Sequence, residues 1–193
     1  MQAKTNKIRL FVFTTFFGVL WGLIEMFLGT YLHMVHLPFC GAVMASIGAI
    51  ILCAERVYTP VRGATLYTGL TALIIKLLSI GAFKMGPVLG IFIETAVVEL
   101  VFSVFGLSLI TAGVACMLAT LEVIPHFFIG NWLTYGSGIF DVYLQIVKQV
   151  QKIFGLHGDF WLQIISIWLG AHLIVGLAAA AGGIYIVKYL KTR

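Results

Sequence analysis

Apolar stretches over residues 9–33, 38–54, 63–82, 86–106, 107–129 and 161–187 take up most of this chain, and that pattern restricts its fold more than any motif does. A helical bilayer crossing consumes about 20 apolar residues, so each stretch has the length of one span. The run from 86 to 129 is broken only by Phe105-Gly106-Leu107-Ser108. It is about twice the length that one crossing needs and must therefore cross twice. Hydrophobic residues make up 61% of the chain and charged residues 10%, against roughly half and a quarter in soluble domains. The expected fold is all-α: a single integral membrane domain over residues 1–193, a six-transmembrane-helix bundle that leaves little length for a catalytic domain.

Charge placement predicts the topology. Lys4, Lys7, Arg9, Arg56, Arg62, Lys188, Lys191 and Arg193 fall at the N-terminus, the second connection and the C-terminus, which an even span count puts on one side. The positive-inside rule makes that side cytoplasmic, with both termini inside a cell membrane. Lys76, Lys84, Lys148 and Lys152 form the outward minority. A net charge of +5 raises nucleic acid as a partner, but the basic residues flank apolar segments instead of covering one face, so none is expected. MQAKTNKIRLF resembles the start of a signal peptide, yet the apolar run after it is too long and lacks a small-residue cleavage site. A retained first helix is expected. Cys40, Cys53 and Cys116 show no CxxC spacing and read as buried small hydrophobes.

The connection from 130 to 160 places Ile139, Tyr143, Ile146, Val147, Val150 and Ile153 at helical spacing opposite Asp141, Lys148 and Lys152. This predicts an amphipathic helix on the outer surface between spans five and six. Glycines at 130, 136 and 138 on one side, and at 155 and 158 on the other, would give it joints. A movable lid and a static interfacial helix both fit.

Glu25, Lys76, Glu94, Glu99, Glu122, His126 and His172 lie inside apolar stretches, where each ionised group costs on the order of 2.5 kcal/mol or more if it faces lipid. At about 1.5 Å of rise per residue, Glu25 and Glu94 come out roughly 12 Å below the outer ends of their spans. Lys76, Glu122 and His126 are shallower, His172 is near mid-membrane, and only Glu99 falls toward the inner half. Such a layer suits an outward-opening pocket, with Glu25, Lys76, Glu94, Glu122, His126, Trp132 and His172 as candidate substrate contacts. It also suits a scaffold of internal ion pairs such as Lys76 with Glu94. Trp132, Tyr135, Trp161 and Tyr31 gather at the outer boundary, as an interfacial belt or as stacking surfaces for a flat ligand.

Glu122 and His126 share a helix face, and His33 and His36 in HMVHLPFCG add imidazoles near the same mouth. A nickel or cobalt site therefore stays open. Gly18, Gly22, Glu25 and Gly29 follow an i, i+4, i+7, i+11 rhythm and so pack against protein, in this chain or in a partner. Ser137 lacks the GxSxG context, and neither HExxH nor a Walker phosphate loop occurs. No enzymatic activity and no cofactor are expected, and the chain cannot power transport with ATP by itself.

HLPFCG leading into the second span, KMGPVLGIFIETAVVEL in the fourth, and the Gly18 to Gly22 stripe resemble features of the S components of energy-coupling factor transporters. Those are small six-span proteins with both termini inside that capture vitamins or metal ions. The resemblance extends to size and span count, and it implies a substrate-capture subunit working with a membrane coupling protein and two cytoplasmic ATPases. It further implies that Gly18 and Gly22 dock on the coupling protein, although glycines stand where the family often has alanines. The chain has no N-terminal Met-His pair like that of the cobalt and nickel members. From the residues alone, three other classes remain: a stand-alone ion- or proton-coupled carrier or channel relaying through Glu94, Glu99 and His172, a divalent-metal uptake subunit, and an assembly factor.

Overall fold

The computed structural model describes residues 2–35, 39–79, 85–155 and 160–192, and every regular element in them is helical. Helix α1 (Gln2–Ile24) passes through a π-helical turn (Glu25–Gly29) into the short α2 (Thr30–Met34). Then follow α3 (Cys40–Tyr58), α4 (Ala64–Leu78), α5 (Met85–Phe105), α6 (Leu109–Leu121), α7 (Val123–Tyr135), α8 (Gly138–Phe154) and α9 (Phe160–Lys191). The sites expected at His36, Lys84, Gly158 and Arg193 lie outside the described residues, and of Lys4, His33, Val150 and Trp161 only the backbone is described.

Among the described residues, five helical stretches are long and apolar enough to cross a bilayer: Lys7–Leu32, Cys40–Tyr58, Gly86–Phe105, Leu109–Tyr135 and Leu162–Lys191. They make this a membrane-embedded helical protein. Helix α4 is apolar but only 15 residues long. At about 1.5 Å per residue it spans roughly 22 Å, less than the ~30 Å hydrocarbon thickness. It stops before the expected residue 82 because Ser79 turns extended and closes the helix with its N–H on the Lys76 carbonyl, 3.1 Å away.

The turn at Phe105-Gly106-Leu107-Ser108 is real. Gly106 takes a φ of 71°, which favours glycine. The Ser108 hydroxyl then accepts from the Thr111 N–H at 3.1 Å, while the Ser108 N–H donates to Thr111 Oγ1 at 2.7 Å. This reciprocal cap satisfies amide donors that the start of α6 would otherwise leave open, and α5 and α6 pack against each other.

Helix α3 is the centre of the bundle and touches α1, α4, α5, α6, α7 and α9. Ala42, Ala45, Gly48, Ala49, Cys53 and Ala54 line its buried surface. Residues this small let backbones approach closely, and close approach is what holds helices together when lipid is as apolar as the side chains. Between the two ends of the bundle lies an apolar layer that includes Leu52, Cys53, Val98, Ala115 and Cys116, all buried.

The small-residue face of α1 is used inside the chain. A methyl group added at Gly18 would come within 2.6 Å of the Thr68 carbonyl oxygen, and one at Gly22 within 2.8 Å of Ile75 Cβ. Both glycines thus seat α1 on α4, so the face expected to dock on a partner is already occupied. Gly18→Val should destabilise the fold by about 1–3 kcal/mol, because backbone cannot yield as a flexible side chain can. Detergent unfolding of the purified protein measures it, and an unchanged transition would refute the α1–α4 packing.

At the end of the bundle where α3 stops, Glu99 on α5 gathers donors from three elements. It accepts from the Gly63 N–H at 2.7 Å, the Thr65 N–H at 3.2 Å, and the Thr65 and Ser103 hydroxyls. The Arg56 guanidinium adds a forked contact at 3.2 and 3.4 Å. A carboxylate at the N-terminus of α4 satisfies its free amides and meets the positive end of the helix dipole. Arg56 was expected in the second connection, but α3 continues to Tyr58 and buries it together with Glu55. Arg56 is therefore a partner of Glu99 and not a loop charge.

Candidate functional site

Five of the seven residues expected to contact substrate line one partly open cavity of about 620 Å³ at the other end of the bundle: Glu25, Glu94, Glu122, His126 and His172. They arrive from different elements. Glu25 opens the π-helical turn after α1, Glu94 lies on α5, Glu122 and His126 lie at the α6–α7 joint, and His172 lies on α9. Glu25, Glu94, Glu122 and His172 are 6%, 3%, 8% and 1% exposed, so none of them faces lipid. This volume lies within the range of pockets that enclose small organic ligands, about 300–1,000 Å³.

Lys76 does not line the cavity, and its partner differs from the expected one. Its ammonium is 3.2 Å from Glu25 Oε2 and donates to the Glu25 carbonyl at 2.6 Å. The pairing follows from helix contacts: α1 lies along α4, which brings residues 25 and 76 to the same height. Gly29 makes room for the pair, since a Cβ there would sit 2.9 Å from Glu25 Oε2 and 3.4 Å from Lys76 Nζ. Glu94 turns toward α3, and its Oε1 lies beside Gly48 and the Trp21 indole.

Glu94 Oε1, Glu122 Oε2 and His126 Nδ1 are buried without a hydrogen-bond partner. His126 Nε2 is 2.8 Å from the Gly86 carbonyl. A carbonyl only accepts, so Nε2 carries the proton of that bond, and Nδ1 is left as the acceptor of the neutral ring. The Glu122 to His126 backbone bond is intact at 3.0 Å, because Pro125 sits in the first turn of α7, where no amide donor is needed.

Aromatic rings enclose the polar groups. Trp168 is edge-on to His172 with centroids 4.8 Å apart, and its backbone carbonyl accepts from the His172 Nδ1–H at 2.8 Å. Phe39 stands edge-on to the same imidazole at 5.6 Å, and Phe127 contacts Trp168 at 5.6 Å. Trp168, Phe39, Phe127 and Asn131 all line the cavity, and sequence reading missed them. Trp168 had a usable signal, since it precedes His172 by four residues and so shares its helix face. The others carry no spacing that sets them apart from an ordinary apolar span. Trp132 is 53% exposed and does not line the cavity, whereas Tyr135 does. Among the described residues, no group of three or more His, Cys, Asp or Glu side chains is placed to hold a metal.

Helix α8 folds back beside this region. The Tyr143 hydroxyl donates to Asn131 Oδ1 at 3.2 Å, and Phe140 stacks obliquely on Phe128 at 5.9 Å. Ile139, Phe140, Tyr143 and Val147 are half-buried, while Ile146 and Ile153, expected on the same face, are exposed. Gly136 before α8 and Gly155 after it take φ values of 75° and 63°. Gly130 and Gly138 are helical. Gly136 also has ψ of −178°, a region open to glycine alone. Gly136→Ala should therefore strain the α7–α8 corner by about 1–3 kcal/mol. The expected readout is faster limited proteolysis around α8, and unaltered cleavage would argue against that backbone geometry.

The chain matches no protein-family model, no characterised protein and no solved structure.

Proposed function

We propose that this chain is the membrane-embedded substrate-capture subunit of an importer of the energy-coupling factor type. It takes a small, vitamin-like molecule from outside and delivers it inward with a coupling subunit and two ATPases. One observation carries the reading: carboxyls, imidazoles and aromatic rings from several helices converge on one cavity at one end of the bundle, with an apolar layer beyond it. Glu94, Glu122 and His126, which line this ligand-sized space, each carry a buried polar atom without a hydrogen-bond partner, and that supports a binding site.

In this reading α4 supplies the sixth crossing, and the positive-inside rule puts both termini in the cytoplasm and the cavity toward the exterior. The 138–154 helix is the amphipathic lid, hinged at Gly136 and Gly155. The apolar layer of Leu52, Val98 and Cys116 between the cavity and the Arg56–Glu99 cluster supports capture over a continuous ion path through Glu94 and Glu99. Capture needs a closed far end, which release then has to open with help from partners.

Equilibrium binding of a panel of labelled vitamins to the purified chain tests the proposal, together with uptake assays in cells. Saturable binding of one small molecule is expected, as is uptake that needs coupling subunits and ATP. Absence of any bound small molecule, with uptake unchanged after Glu25→Gln and Glu94→Gln, would overturn it. Transport by vesicles holding this chain alone would instead identify a stand-alone carrier.

A further inference from the structure

We infer that the cavity selects a compact organic cation that carries N–H donors and an apolar or aromatic body. This rests on the capture reading and specifies its substrate class.

The first reason is charge. Glu25, Glu94 and Glu122 all line the cavity, and no lysine or arginine does among the described residues. The nearby ammonium, Lys76, is committed to Glu25 through both its carboxylate and its carbonyl. Glu94 and Glu122 are left without a cation, each more than nine-tenths buried. An anionic ligand would add a like charge to this space, whereas a cationic one supplies the missing partner.

The second reason is hydrogen-bond polarity. Once Glu122 is ionised against a bound cation, its unpartnered Oε2 and His126 Nδ1 are both acceptors, one helical turn apart on one face. Glu94 Oε1 is turned toward Gly48 and Trp21, so Glu122 carries the directional contact and Glu94 acts through its charge. A ligand N–H⁺ group facing Glu122 and His126 satisfies them with charge-assisted bonds, roughly twice as strong as neutral ones. The third reason is the rings: Phe39, Phe127 and Trp168 line the same space, and aromatic faces attract cations. A bare divalent ion would leave most of 620 Å³ unfilled.

Four benzene derivatives of similar size separate these terms: benzamidinium (cation with donors), phenyltrimethylammonium (cation without donors), benzamide (neutral) and benzoate (anion). Their affinities for the purified full chain are read by calorimetry, with NiCl₂ as the metal probe. Benzamidinium is expected to bind at least tenfold tighter than benzamide, with phenyltrimethylammonium between them and benzoate undetected. Glu122→Gln, which keeps the side-chain shape, should weaken benzamidinium at least tenfold and benzamide by a smaller factor. Glu94→Gln should weaken both cations alike.

Benzoate binding as tightly as benzamidinium, unaltered selectivity in monodisperse Glu122→Gln protein, or Ni²⁺ displacing benzamidinium would each overturn the inference. Binding of none of the four probes would overturn it too. If the protein nonetheless copurifies with a neutral or anionic small molecule seen by native mass spectrometry, the capture reading survives and only the charge class falls. If nothing binds at all, both fall.

Discussion

Lys76→Met should lower the stability of the folded protein by about 3–5 kcal/mol, the cost of leaving a buried charge without its partner. The Glu25 and Lys76 side chains are 8% and 4% exposed and 3.2 Å apart. The ammonium also holds the Glu25 carbonyl in the π-helical turn, so its loss removes two contacts from one junction between α1 and α4. Glu25→Gln combined with Lys76→Met should recover most of the loss, since an uncharged pair has no unpaired ion to solvate. Reversible unfolding of the four proteins in mixed micelles measures this as a double-mutant cycle. Additive losses would show that the two side chains do not depend on each other. Glu25 lines the cavity, so the single Lys76 variant should also alter ligand affinity.

Glu99→Ala should cost somewhat less, about 3 kcal/mol, at the low end of the range for breaking a buried pair. The Arg56 and Glu99 side chains are 4% and 8% exposed, but the cluster sits at helix ends, where water can reach some of the freed groups. Removing the carboxylate frees the Arg56 guanidinium and uncaps the Gly63 and Thr65 amides. The α4 start should fray, visible as faster amide exchange at residues 63–66, while ligand affinity at the distant cavity stays unchanged. A variant that lost ligand binding and kept its α4 amides protected would contradict this division of labour between the two ends.

Residues that looked alike in sequence therefore have different duties. Glu25, Glu94, Glu99 and Glu122 are each an acid inside an apolar stretch, with Glu94 and Glu99 in the same one. One is ion-paired at the cavity wall, two line the cavity without a cation, and one caps a helix at the opposite end. The depth of each was legible because helical rise converts residue number into height. The direction each faces was not, since any apolar span permits several rotations about its axis. That is why Lys76, placed by height alone, was paired with Glu94, when the packing of α1 on α4 gives it Glu25. The stripe of Gly18 and Gly22 announced a close helix contact in the same way, without saying that α4 would be the helix.

Composition and apolar periodicity by themselves determined that this chain is a helical membrane protein, where the chain turns between α5 and α6, and which ionisable groups lipid would not tolerate. Those conclusions follow from transfer cost and helix geometry, which act on each segment separately. Only the tertiary structure decided the partners. Which carboxyl meets Lys76, which rings stand over His172, and that Arg56 belongs to the bundle interior depend on how helices rotate and lean against α3. That rotation is set by the packing of many small residues at once, and no single span carries the information.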